Sequence, residues 1–197
     1  MNAIVNTRLI LEDGIIFNGA LTHENGRIVA LGEAKDVPIP EGCAVTDAHG
    51  LYTAPGLVDI HNHGSETQLF AREPEECARH FLHHGETTVL PALYCNLTLE
   101  EMLAGAERIR NASQTDAGRI LKGLYMEGPY MGGFGSNQKH LLWGGEIARE
   151  EYLPLVNAVK GFARIWAIDP ARPGIEGFMR DVRIADPAAI FAMGHSH

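Results

Sequence analysis

The sequence predicts an α/β protein: a small β-sandwich-like segment followed by an incomplete TIM-type (β/α) barrel. Residues 1–54 carry short apolar runs separated by turn dipeptides, the mark of short strands. After Pro55, apolar runs alternate with stretches of helical periodicity. Near-continuous apolar strands alternating with helices mean a parallel sheet covered by helices. The extent follows from a count. Five such strands can be placed after residue 55, whereas a closed barrel takes eight strands and about 250 residues. Two domains are therefore expected, 1–54 and 55–197, the second holding the first five β/α units.

In the first segment, Thr7–Leu11, Gly14–Phe17 and Arg27–Leu31 read as strands, broken at Glu12-Asp13-Gly14, Glu24-Asn25-Gly26 and Gly32-Glu33. Asn-Gly is a hairpin signal, so an antiparallel unit is expected, with Cys43–Asp47 as a further strand. In the second segment, Leu57–Ile60 opens the series. Pro74–His84 follows as a helix, with proline in the first turn, Cys77, Ala78, Phe81 and Leu82 on one face, and Gly85 as its stop. Thr87–Leu93 is the next strand, although Pro91 forfeits a ladder hydrogen bond there. Thr98 and Glu101 form a capping box ahead of a stripe of Leu99, Met102, Leu103 and Ala106, so a helix runs to about Arg110. Ile120–Met126 reads as a strand, Gly132–Gly145 as a glycine-rich loop and Ala148–Lys160 as a helix. Phe162–Ile168, Pro173–Arg183 and Ala188–Met193 complete the series as strand, helix and strand.

Composition narrows the function. Among 197 residues, 45% are hydrophobic and 21% charged, enough for a packed core. A net charge of -9 argues against a nucleic-acid groove or a basic membrane patch. Cys43, Cys77 and Cys95 are far apart and form no C-x-x-C pair, so they read as reduced thiols. No basic leader with a long apolar run is evident, and no run approaches the ~20 apolar residues of a membrane span. A cytoplasmic location is expected.

The candidate chemistry sits where strands finish. Pro55-Gly56-Leu57-Val58-Asp59-Ile60 leads into His61-Asn62-His63-Gly64. Residues i and i+2 of a strand point to one face, so the two imidazoles converge, as metal ligands commonly do. Glu127 ends the third strand and His195 the fifth. In barrels, the carboxyl ends of the strands form the catalytic face. Each residue alone has a plainer reading: surface histidines after a core strand, a solvated turn carboxylate, a strand cap. Together they form a pattern that unrelated surface residues have no reason to produce. Asp59 shares parity with His61 and His63 and is either a carboxylate that orients a ligand histidine or a polar residue of the inner layer. His80, His83 and His84 read as structural or exposed, and His23, His49 and His140 are unassigned.

These residues resemble the amidohydrolase superfamily and, within it, the N-acetylglucosamine-6-phosphate deacetylase family. Leu51–Asp59 is similar to the phrase that leads into that family's first barrel strand, and His-Asn-His-Gly at 61–64 resembles its metal-binding strand end. Met126-Glu127-Gly128-Pro129 and Gly194-His195-Ser196 resemble two further ligand motifs. The order Glu-Gly-Pro then Gly-His-Ser is the more specific part. The resemblance implies hydrolysis of the acetamide of N-acetylglucosamine 6-phosphate to glucosamine 6-phosphate and acetate. It implies one or two divalent ions (zinc, iron or manganese) on His61, His63, Glu127 and His195, an amino-sugar phosphate as partner, and a homo-oligomer. Asn137, in Gly135-Ser136-Asn137, stands where the family carries a substrate-touching histidine. The family's later metal-binding histidine and its catalytic aspartate have no counterpart, so no catalytic residue is assigned. The chain alone is expected to be inactive and poorly stable, with exposed apolar edge strands. Two other readings stand beside this one: another amide hydrolase of the superfamily, such as a dihydroorotase-like protein, which Glu-Gly-Pro speaks against, and a non-catalytic metal-binding module.

Overall fold

The structure is a computed structural model that describes residues 1–132 and 142–196. Asn137 and most of the expected glycine-rich loop lie outside the described residues. The chain divides into two compact units, Met1–Pro55 and Gly56–His197.

The first unit is a five-stranded sheet of β1 (Asn2–Leu11), β2 (Gly14–Glu24), β3 (Arg27–Glu33), β4 (Ala44–Asp47) and β5 (Tyr52–Thr53). Its hairpins follow the turn signals, with β1 and β2 antiparallel, as are β2 and β3. Asn25 and Gly26 both have positive φ, as their turn requires. The sheet is nevertheless mixed, not the antiparallel unit expected. β4 and β5 both run parallel to β1, pairing with its first and second halves. Turn dipeptides report only hairpins, and a parallel return over a longer connection leaves no such local mark.

The second unit is a parallel sheet of β6 (Leu57–Asn62), β7 (Glu86–Tyr94), β8 (Leu124–Glu127), β9 (Ala163–Ile168) and β10 (Ile190–Met193). The strands lie side by side in chain order, as consecutive β/α units do. Between them run α1 (Pro74–His83), α2 (Leu99–Ala112), α3 (Arg149–Val159) and α4 (Ile175–Ala185). Sheet and helices share one core. Cys77, Ala78 and Phe81 of α1, Met102 and Ile109 of α2, Leu155 of α3 and Phe178 of α4 pack with Val89, Leu93, Leu124, Met126 and Trp166 of the strands. The capping box of α2 is present: the Glu101 N–H donates to Thr98 Oγ1 (3.2 Å) and the Thr98 N–H to Glu101 Oε2 (2.9 Å).

Two local details depart from the sequence reading. Ile120–Met126 is not one strand. Ala117–Ile120 forms a 3-10 turn, and β8 begins only at Leu124. Gly123, at φ +150°, makes the break; a Cβ there would lie 2.6 Å from the carbonyl oxygen of Phe162. Pro91 sits inside β7 without penalty, because the pairing of β6 with β7 shifts register between Asp59 and Asn62, and Asn62 is the residue opposite Pro91. A missing donor is tolerated at such an irregularity.

Candidate metal centre

Three strand ends supply the site. His61 lies in β6 and His63 just beyond it, Glu127 is the last residue of β8, and His195 lies two residues past β10. The two histidines are held by a turn built from their own neighbours. Asp59 Oδ1 accepts from the His61 N–H (2.9 Å) and Oδ2 from Asn62 Nδ2 (2.9 Å), while Asn62 Oδ1 accepts from the Gly64 N–H (2.8 Å). Asp59 therefore shapes the His61–His63 turn through the backbone and Asn62. The chain then folds back, and the Phe70 N–H donates to the His63 carbonyl (2.9 Å). Gly64 is required at that return: at φ +149° a Cβ would lie 2.0 Å from the Gln68 carbonyl oxygen.

The side chains converge on Glu127. His63 Nε2 lies 3.1 Å and His61 Nε2 3.8 Å from Glu127 Oε2, and the two Nε2 atoms are 3.4 Å apart. On the other carboxylate oxygen, His195 Nε2 lies 2.9 Å from Oε1. Glu127 is thus placed between two sets of histidines, one on each oxygen. The residues singled out at the strand ends, His61, His63, Glu127 and His195, are all brought together. Two neighbours were not foreseen. Tyr125 packs against the His61 ring (4.3 Å between centroids) and Tyr94 against that of His63 (5.0 Å). Tyr125 stands two residues before Glu127 in one strand, so strand parity would have found it.

The protonation states suit a cation site. Burial, the largest influence on His61, lowers its pKa and outweighs the raising effect of Glu127. The imidazole is then neutral near pH 7, the form that carries a lone pair for a metal. Burial pushes the Glu127 carboxyl up, but its bonds to His63 and His195 outweigh that and hold it below the usual value. Burial and the nearby Glu127 charge push the Tyr125 phenol up, keeping it neutral.

His61, His63 and Glu127 form a group whose ligand atoms lie within 4.8 Å of one another and that could hold a metal ion. Their separations of 3.1, 3.4 and 3.8 Å bracket the about 3.3–3.5 Å between ligand atoms of a tetrahedral zinc with arms of ~2.0–2.1 Å. The donor set, two imidazoles and a carboxylate, fits a borderline divalent ion. Asp169, at the end of β9, is buried, and its Oδ1 accepts from the Ala171 N–H (3.0 Å). No helix among the described residues is long and apolar enough to cross a membrane.

No family model matches the chain. A stretch of 50 residues, 25% of this chain and 12% of the relative, is 44% identical to imidazolonepropionase of Sphingopyxis alaskensis. A stretch of 98 residues, 48% of this chain and 16% of the relative, is 36% identical to adenine deaminase of Clostridium botulinum. In structure, 100% of the chain superposes on 55% of N-acetyl-D-glucosamine-6-phosphate deacetylase from Mycobacterium smegmatis, with a TM-score of 0.77 and 22% sequence identity. This chain therefore spans about half the length of that protein and has the fold of that half: a small mixed sheet and a unit of five parallel strands with four helices between them.

Proposed function

We propose that the chain is the metal-binding portion of an amidohydrolase-superfamily metallohydrolase, and that the whole protein removes acetate from N-acetylglucosamine 6-phosphate. The observation that carries this reading is the convergence of His61, His63 and Glu127 at the carboxyl ends of parallel strands β6 and β8. The whole-chain likeness to the mycobacterial deacetylase supports the substrate. A bound divalent ion supplies Lewis acidity toward the amide carbonyl and lowers the pKa of water. His61, His63 and Glu127 would hold it. His195 would hold the second oxygen of Glu127, or a second ion beside it. Tyr94 and Tyr125 would keep the two imidazoles from turning away.

A general base must also take a proton from the attacking water. Of the aspartates the sequence set near the strand ends, Asp59 accepts bonds through both oxygens within the histidine turn, and one oxygen of Asp169 accepts from the Ala171 amide. We therefore propose that this chain binds metal but does not turn substrate over by itself.

Metal content of the purified chain, measured with and without Glu127→Gln, tests the reading together with acetate release from N-acetylglucosamine 6-phosphate. Metal near stoichiometry in the parent, lost in the variant, supports it. Equal metal in both samples sinks the ligand assignment. Acetate release by the chain alone would place a base within it. A second reading, another hydrolase of the superfamily, draws on the matches to imidazolonepropionase and adenine deaminase; the same assay run with their substrates separates it.

A further inference from the structure

We propose a second metal site, made of side chains other than those of the candidate centre, formed by His80 and His84 at the C-terminal end of α1. It would take a borderline transition-metal ion, such as Ni²⁺, Cu²⁺ or Zn²⁺, on two imidazoles, with water filling the remaining positions.

Spacing comes first. Residues i and i+4 of a helix lie one above the other on a single face. The structure places the His80 and His84 rings 4.5 Å apart between centroids, tilted by 39°. Both are exposed, so an ion has access and the rings have room to adjust. The tautomer of His84 also leaves a ligand nitrogen open. His84 Nδ1 lies 2.8 Å from the His80 carbonyl oxygen. A carbonyl only accepts, so Nδ1 carries the proton and Nε2 keeps its lone pair for a ligand bond. A ring N–H donated to a backbone carbonyl is the usual arrangement behind a metal-bound histidine.

Electrostatics point the same way. The pair occupies the last turn and C-cap of α1, where the helix dipole favours positive charge. The nearest cation on the helix, Arg79, is ion-paired with Glu75 and Glu76 and so offers little opposition. His83 does not belong to the pair. Its ring stands nearly perpendicular to that of His84, 5.8 Å away. Affinity should rise from Zn²⁺ or Ni²⁺ to Cu²⁺, following the general order for nitrogen donors.

The test is a Ni²⁺ titration of the untagged, chelator-stripped chain by calorimetry, with retention on an immobilised-nickel column as a second readout. Exposed positions make the variants safe for folding. We expect His84→Ala and His80→Ala each to weaken one class of site by about tenfold or more, roughly 1.4 kcal/mol, and to shorten retention. His83→Ala should change neither readout. The double variant His61→Ala with His63→Ala should remove the other class and leave this one, so failure here and failure of the strand-end assignment are distinguishable. Unchanged binding in His84→Ala, or an equal loss in His83→Ala, would overturn the proposal.

Discussion

The middle of the parallel sheet and its two edges are built differently. Val89 of β7 and Leu124 and Met126 of β8 are fully buried, and Trp166 of β9 nearly so. At the edges, Val58 of β6 is 65% exposed and Met193 of β10 is 81% exposed. Apolar contacts therefore dominate the centre, while the rims bury fewer side chains, Phe191 of β10 against the core among them. The candidate metal centre draws on both regions. Glu127 comes from the buried centre, His61 and His63 from one rim, and His195 from beyond the other. The candidate site thus takes its carboxylate from a well-buried strand and its imidazoles from segments at or beyond two exposed ones. The lesson is that core and site are separate achievements of this fold.

The largest effect should come from the centre. Phe178 of α4 is fully buried against Tyr130, Tyr152 and Trp166. Phe178→Ala should cost about 3–5 kcal/mol in urea unfolding. A cost near zero would mean that the centre does not carry the stability. Metal comes next. At a hundredfold excess over Kd, a bound ion should stabilise the fold by about 2.7 kcal/mol. Hydrogen exchange should slow more in β6 and β10 than in β7–β9. Uniform slowing would break the contrast between rim and centre.

A smaller effect belongs to the Tyr152 phenol, which donates to Asp181 Oδ2 (2.8 Å) between α3 and α4. Tyr152→Phe should cost about 1–2 kcal/mol. Burial, then the bond to Asp181, raises the phenol from 10.0 to about 12 in the fold. A raised folded pKa means stability that is full below pH 10.0 and is lost as pH climbs toward 12. Alkaline unfolding curves of parent and variant should therefore converge over that window. Smallest of all, Ile60→Ala on the exposed face of β6 should change stability by no more than about 0.5 kcal/mol. A loss comparable to that of Phe178→Ala would show that the rim is packed.

Much of the second unit was legible because its signals are local. Helical stripes, the Thr98–Glu101 capping box and apolar strands each report their own segment. The sheet order then follows, because consecutive β/α units pack side by side. The parallel pairing of β4 and β5 with β1 was not legible, since no turn marks it. Gly123 hid the start of β8, because the apolar Ile120 and Leu121 on its far side are buried outside any strand. In the candidate site, strand parity paired His61 with His63, and the strand-end positions of Glu127 and His195 joined them at one end of the sheet. Position at a strand end says nothing about which oxygen meets which ring, so the two-sided placement of Glu127 came only from the geometry. The role of Asp59 was half legible: its parity marked it as a neighbour of the histidines, but its bond to a backbone amide has no sequence signature.

That amide bond also makes the turn self-contained. Asp59 satisfies the N–H of His61 and the side-chain amide of Asn62, and Asn62 in turn satisfies the N–H of Gly64. The spacing of the two rings is therefore set by residues two or three positions away in the same segment, so the metal-facing geometry of His61 and His63 is a property of the stretch 59–64 itself.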